Sequence, residues 1–174
     1  MLLHCTQKLA AKLTGVSTTP LVEASPLGSW HAHLYAYDRR QCVLFCHDES
    51  RYVLFLPGLL KADFAKLGQL HRELFLATLV ALNVSESLLS HVALALGPVQ
   101  FDRNTDRSVL GSLRTADIDL SWLIQDVHVL DCDLLAVARK LNDRPTSVKG
   151  KWFHPNKEML KRIAQLGIPE RHCP

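Results

Sequence analysis

From Trp30 to Tyr37 two kinds of side chain alternate one for one. Trp30, Ala32, Leu34 and Ala36 fall on one face of an extended chain, and His31, His33, Tyr35 and Tyr37 on the other. A helix would scatter both sets around its circumference, so this run is constrained to a strand with one apolar face and one wet or functional face. Asp38-Arg39-Arg40 is turn-forming, Gln41 to His47 returns as a second strand, Asp48 to Arg51 turns again, and Tyr52 to Leu56 makes a third. The expected product is an antiparallel meander.

Around it the period changes. Leu2 to Cys5 reads as a short strand, and Thr6 is placed to cap a helix carrying Leu9, Ala10 and Leu13, closed by Gly15. Residues 16–28 contain Ser, Thr and two prolines and read as a loop. Pro57-Gly58 is expected to end the sheet segment, after which Leu60, Phe64, Leu67, Leu70, Leu74 and Val80 form a helical apolar stripe. Asn83 and Glu86 have capping-box spacing for a helix reaching about Leu96, stopped by Gly97-Pro98. Val99 to Phe101 is a short strand. Ile118, Leu120, Leu123, Ile124 and Val127 mark the next helix, Asp131 caps another through Leu141, residues 146–155 are irregular, and Met159, Leu160, Ile163 and Leu166 mark a last amphipathic helix. The fold class is α+β, an antiparallel β-meander packed against several helices. One core domain over residues 1–145 and a basic C-terminal extension over 146–174 are the expected divisions.

A hydrophobic fraction of 48% with 21% charged residues excludes disordered and fibrous classes. The longest apolar runs are interrupted by Thr78, Asn83, Ser90 and His91, well short of the ~20 residues that span a bilayer. No membrane association is therefore expected. The first residues lack the basic and small-residue pattern of a secretory signal, which predicts a cytoplasmic protein. Five cysteines, at 5, 42, 46, 132 and 173, without a Cys-x-x-Cys pair fit reduced thiols. Cys42 and Cys46 face one side of a strand about 13 Å apart and are expected as small buried hydrophobes. Residues 139–174 hold nine Lys and Arg against three acids, so a basic tail follows a mildly acidic body, within a total of +3.

Four stretches, Cys5-Thr-Gln-Lys-Leu9, Leu27-Gly-Ser-Trp30 with Ala32 and Leu34, Asp38-Arg-Arg-Gln41 running into Val43-Leu-Phe45, and Asn104 with Arg107-Ser-Val-Leu-Gly-Ser112, together resemble an uncharacterised bacterial domain family of unknown function. The resemblance covers about the first two thirds of the chain. It implies a small cytoplasmic α+β domain without an established activity or cofactor. His31 and His33 are not part of the pattern, and Asp106 separates Asn104-Thr105 from Arg107, where the pattern places Asn and Arg side by side.

Candidate site residues fall in four places. Asn104, Arg107 and Ser108 stand at the mouth of a predicted helix, where backbone amides, a guanidinium and hydroxyls favour an anion; alternatively Thr105 or Asp106 caps the helix and Arg107 braces the fold. Arg39 and Arg40 can hold phosphate or carboxylate bidentately from a hairpin turn, or stand as a solvated turn pairing with Asp48 or Glu49. His31 and His33 point the same way and are weak metal candidates, with no carboxylate at diagnostic spacing; no metal or other cofactor is expected. Lys149 to His154 interleaves lysines with aromatics, a pattern that binds nucleic acid, but Trp152 and Phe153 are expected to pin the tail as core residues. Anion-friendly groups without an assembled nucleophile, base or metal cluster predict a non-enzymatic binding or regulatory module for a protein or nucleic-acid partner. The alternative is a phosphate-directed, metal-dependent hydrolase or nuclease using His31, His33 or His47 beside Arg39, Arg40 and Arg107.

Overall fold

The computed structural model describes residues 1–167, which leaves Glu170, Arg171 and Cys173 of the basic tail outside the described residues. Strands β2 (Trp30–Tyr37), β3 (Arg40–His47) and β4 (Val53–Leu59) form the expected meander. Strand β1 (Leu2–Cys5) adds to β2 in parallel and β5 (Gln100–Asp102) adds to β1 in parallel, giving a five-stranded mixed sheet ordered β4-β3-β2-β1-β5. The link from β2 to β3 is a two-residue turn in which Asp38 and Arg39 both adopt positive φ, 49° and 61°. That twist matches the twist of the flanking strands.

Because side chains alternate across a strand, each face of the sheet buries its own core. Leu3, Trp30, Ala32, Leu34, Val43, Phe45 and Leu54 pack on the first face beneath α2 (Leu67–Ala81), α3 (Glu86–Leu96) and α6 (Pro155–Leu166); the four-residue α1 (Gln7–Ala10) closes the side. On the second face Cys42, Leu44, Cys46, Val53 and Phe55 pack beneath α4 (Arg107–Leu123) and α5 (Leu134–Asp143). Cys42 and Cys46 are thus free, buried thiols of that second core. Met159 and Ile163 of α6 sit within the first core. No described helix is long and apolar enough to cross a membrane.

Several local expectations are corrected. Strand β4 continues through Pro57-Gly58 to Leu59, because β4 is an edge strand where a missing N–H is tolerated and the register shifts opposite Gln41 and Val43. In α2 the buried stripe is Leu67, His71, Leu74, Phe75, Thr78 and Leu79, while Leu60 and Val80 face solvent. Ser85, not Asn83, caps α3 by accepting from the Leu88 amide. Asn83 instead turns the chain at φ 59°. Asp133, two residues beyond Asp131, caps α5 through the Leu135 and Ala136 amides. Residues 146–155 are not irregular throughout: β6 (Thr146–Val148) and β7 (Lys151–Phe153) form a hairpin whose turn residues Lys149 and Gly150 have φ 49° and 79°.

The outer edge of β4 is closed at its first residue by one side chain. Buried Asn142 of α5 accepts from the Val53 amide (2.6 Å) and donates to the Val53 carbonyl (2.7 Å) and to the Ala138 carbonyl. An Asn142→Leu variant keeps the volume and strands two buried backbone groups, so it should lose about 1–3 kcal/mol in denaturant unfolding. An unchanged midpoint would show that the edge is satisfied in another way.

Candidate functional site

One lateral row of side chains crosses the second face of the sheet. The pairing registers put Asp102 of β5 beside His4 of β1, His4 beside His31 of β2, and His31 beside Cys46 of β3. His4 Nδ1 donates to Asp102 Oδ1 at 2.6 Å, and His31 Nδ1 donates to Asp48 Oδ1 at 2.6 Å. Since His31 Nε2 accepts the backbone N–H of Asp106 (2.6 Å), its tautomer is fixed as the neutral Nδ1–H form. Burial would raise the Asp48 carboxyl, but the hydrogen bond from His31, with help from the Ser29 hydroxyl and His4, holds it below the ordinary value. Asp102 also accepts from the amides of Leu21 and Asn104.

This network fixes where α4 begins. Asp106, pinned through its amide to His31, accepts from the Ser108 and Val109 amides and caps the helix. The first two turns of α4 then run past the β6–β7 hairpin and leave a groove of about 530 Å³ between them. Ser108, Gly111, Ser112 and Thr115 form one wall, and Arg144, Ser147 and the exposed Trp152 the other. A Cβ added at Gly111 would meet nothing within 4 Å, so that wall is open. Beneath lies a small cavity of about 20 Å³, lined by Arg51 and sharing Ser112, Arg144 and Thr146 with the groove.

Arg51 is the unusual member. It is only 6% exposed, and its backbone sits at φ 57°, a conformation that non-glycine residues keep only where the surroundings enforce it. Its Nη2 donates to Ser108 Oγ at 3.0 Å, whereas Nε and Nη1 have no hydrogen-bond partner. Among the described residues no carboxylate lies within salt-bridge distance of it. The neighbouring Cys46 supplies no counter-charge, because burial pushes that thiol up to about 12 against the pull of the guanidinium. Arg144, by contrast, is ion-paired with Asp119.

The sequence candidates divide between two ends of the molecule. Ser108 lines the groove, and Asn104 and Arg107 are exposed at the adjoining helix start, with no side-chain partner for Arg107 among the described residues. Asp117 accepts from Tyr37 Oη and Asp119 from Arg144, so neither braces Arg107. Arg39 and Arg40 are exposed at the β2–β3 turn, the length of β2 away from His31, or about 25 Å at the usual strand rise. Neither pairs with Asp48 or Glu49: Asp48 is held by His31 and Ser29, and Glu49 by Arg162. His31 is buried with both ring nitrogens engaged, while half-buried His33 lies against Tyr35 with the rings tilted and burial lowers its pKa. Among the described residues no three His, Cys, Asp or Glu side chains are grouped to hold a metal ion. Trp152 departs from the core role expected of it, since a three-residue strand in a detached hairpin has no second layer to cover its outer face. Sequence reasoning passed over Arg51, Ser112 and Arg144 as site residues. The only local sign of Arg51 is a lone cation closing the Asp48–Arg51 turn directly before an apolar strand.

A family model described as "Domain of unknown function (DUF6933)" matches residues 2–158. The chain belongs to that family, and the match runs well past the two thirds over which the sequence motifs carry the resemblance. No curated protein matches the chain.

Proposed function

We propose that this member of the family is a non-enzymatic binding module whose ligand or partner presents an anionic group to the groove between α4 and the β6–β7 hairpin. The observation that carries this reading is the buried guanidinium of Arg51. A charge removed from water without a counter-ion costs several kcal/mol, and an incoming phosphate, sulfate or carboxylate would offset that cost. Its Nε and Nη1 remain without a hydrogen-bond partner in the small cavity beneath the groove, so the charge is unmatched from within the fold. Ser108 Oγ already accepts from Arg51, which leaves its hydroxyl hydrogen to donate to the same ligand. Arg107, Lys149 and Lys151 are exposed nearby in sequence and add positive potential around the groove. Binding rather than hydrolysis is supported by the lining, which contains no histidine, while His31 and His47 have both ring nitrogens occupied.

The test is thermal unfolding in rising inorganic phosphate against chloride at matched ionic strength. Wild-type protein should gain melting temperature with phosphate, because a ligand bound only to the folded state stabilises it in proportion to the logarithm of its saturation. Arg51→Met should lose that dependence while unfolding at the same or a higher temperature without phosphate, since it removes an uncompensated charge and keeps the stem's packing. Equal phosphate stabilisation of both proteins, or an Arg51→Met variant that fails to fold, would sink the reading.

A further inference from the structure

The order of hydrogen-bonding groups along the groove says more about the ligand than its charge. At the floor the Ser108 hydroxyl is a donor, its oxygen held from beneath by Arg51 Nη2. On the α4 wall, Ser112 Oγ donates to the Ser108 carbonyl (3.3 Å) and Thr115 Oγ1 to the Gly111 carbonyl (3.1 Å). With their hydrogens committed to the helix, both hydroxyls turn lone pairs outward and act as acceptors. At the rim, Trp152 is 73% exposed and stands opposite Ser147 in the hairpin, so its ring borders the same space. A large aromatic left in water at the wall of a polar groove is a stacking platform in search of a flat partner.

Resting on the anion-binding reading, the geometry points to a nucleotide as the ligand, bound with its phosphate at Ser108 above the buried Arg51 charge, its sugar hydroxyls or base amines along Ser112 and Thr115, and its base on Trp152. A simple inorganic anion uses only the floor. An acidic peptide supplies carboxylate to the floor and carries no obligatory ring for the rim. A nucleotide satisfies donors, acceptors and platform in one order, and about 530 Å³ falls within the usual range of small-molecule sites. The groove is open along its length, and Lys149 and Lys151 lie exposed at the hairpin turn, so a nucleotide within a single strand meets the same groups as a free one.

The experiment titrates the full chain with inorganic phosphate, ribose 5-phosphate, adenosine 5′-monophosphate and a short single-stranded oligoadenylate, read by calorimetry and by tryptophan fluorescence. Adenosine monophosphate should bind about ten-fold or more tighter than ribose 5-phosphate, the size of one base–aromatic stack. Trp152→Ala should erase that difference and leave phosphate binding intact, and Trp152→Phe should restore most of it; an exposed residue of this kind can be changed without unfolding the protein. Tighter binding of the oligoadenylate than of the monophosphate identifies a strand as the source, and equal binding identifies the free nucleotide. If ribose 5-phosphate and adenosine monophosphate bind equally and Trp152→Ala changes nothing, the nucleotide assignment falls while the anion groove stands. If inorganic phosphate also fails to bind, the anion reading has failed first.

Discussion

On acidification from pH 7 to pH 4.5 the protein should lose on the order of 5 kcal/mol of stability, most of it through two histidines that the fold keeps neutral. His71 of α2 is completely buried among Trp30, Phe45 and Phe75, with no hydrogen-bond partner on either ring nitrogen. Burial, with His47 nearby, lowers its pKa to about 3. His47 donates from Nε2 to the Leu27 carbonyl and accepts from Ser50 at Nδ1, and burial lowers it to about 4. In the unfolded chain both take a proton near the ordinary imidazole value of 6.5. The stability they contribute is therefore complete above pH 6.5 and is lost as pH falls toward 4 and then 3, because the unfolded state binds protons that the folded state refuses. A loss of that size matches the lower end of the stability of an ordinary domain, about 5–15 kcal/mol, so the denaturant midpoint should fall markedly by pH 4.5. Urea unfolding at pH 7, 5.5 and 4.5 measures it. Replacing the unpartnered imidazole with a similar apolar volume, His71→Leu, should leave stability at pH 7 equal or higher and remove about half of the acid loss. Equal stability of the wild type at pH 7 and 4.5 would show that both imidazoles protonate in place.

These two histidines also mark the limit of what one sequence discloses. The meander was legible because a pleated strand has a period of two whatever surrounds it, so Trp30 to Tyr37 divided correctly into a core face and a second face. The second face read as wet, yet α4 covers much of it, and nothing within the strand announces a helix that begins seventy residues later. Membership of a family of unknown function was legible too. The row from Asp102 through His4 to His31 was not, because it exists only once β1 and β5 pair in parallel with a particular register. His71 was hidden by a helical stripe drawn through Leu70 and Val80, where a rotation of one residue exchanges buried for exposed. The β6–β7 hairpin carried a usable signal, Lys149-Gly150 between short runs, but strands of three residues barely show alternation. As for the site, Asn104 to Ser112 drew notice as a polar loop opening a helix, and its Ser108 and Ser112 do line the groove. The buried charge beneath them comes from Arg51, a residue whose environment is made by α4 and by the chain around Leu141 and Arg144, far away in sequence.

Truncating Trp30 should cost about 3–5 kcal/mol, the range for removing a large aromatic from a packed core. Its side chain is fully buried and lies at the junction of sheet and helices, edge-on to His47 at 5.1 Å, His71 at 4.6 Å and Phe75 at 5.1 Å between ring centroids. Those partners come from β3 and α2, so a cavity there loosens the contact between the meander and its principal covering helix rather than one local packing pair. Leu34, Val43 and Leu54 share the same core. The indole Nε1 has no partner, so the loss is one of packing and not of a hydrogen bond. In urea unfolding Trp30→Ala should lower the midpoint with an unchanged slope, the signature of a less stable but equally compact native state. A cost below about 1 kcal/mol would place the indole at the surface and overturn the arrangement of the first face. The groove lies on the opposite face, so phosphate affinity measured well below the melting temperature should be unchanged in this variant. A core that fails at one residue while the anion site still binds would separate what holds this fold together from what the fold presents to its ligand.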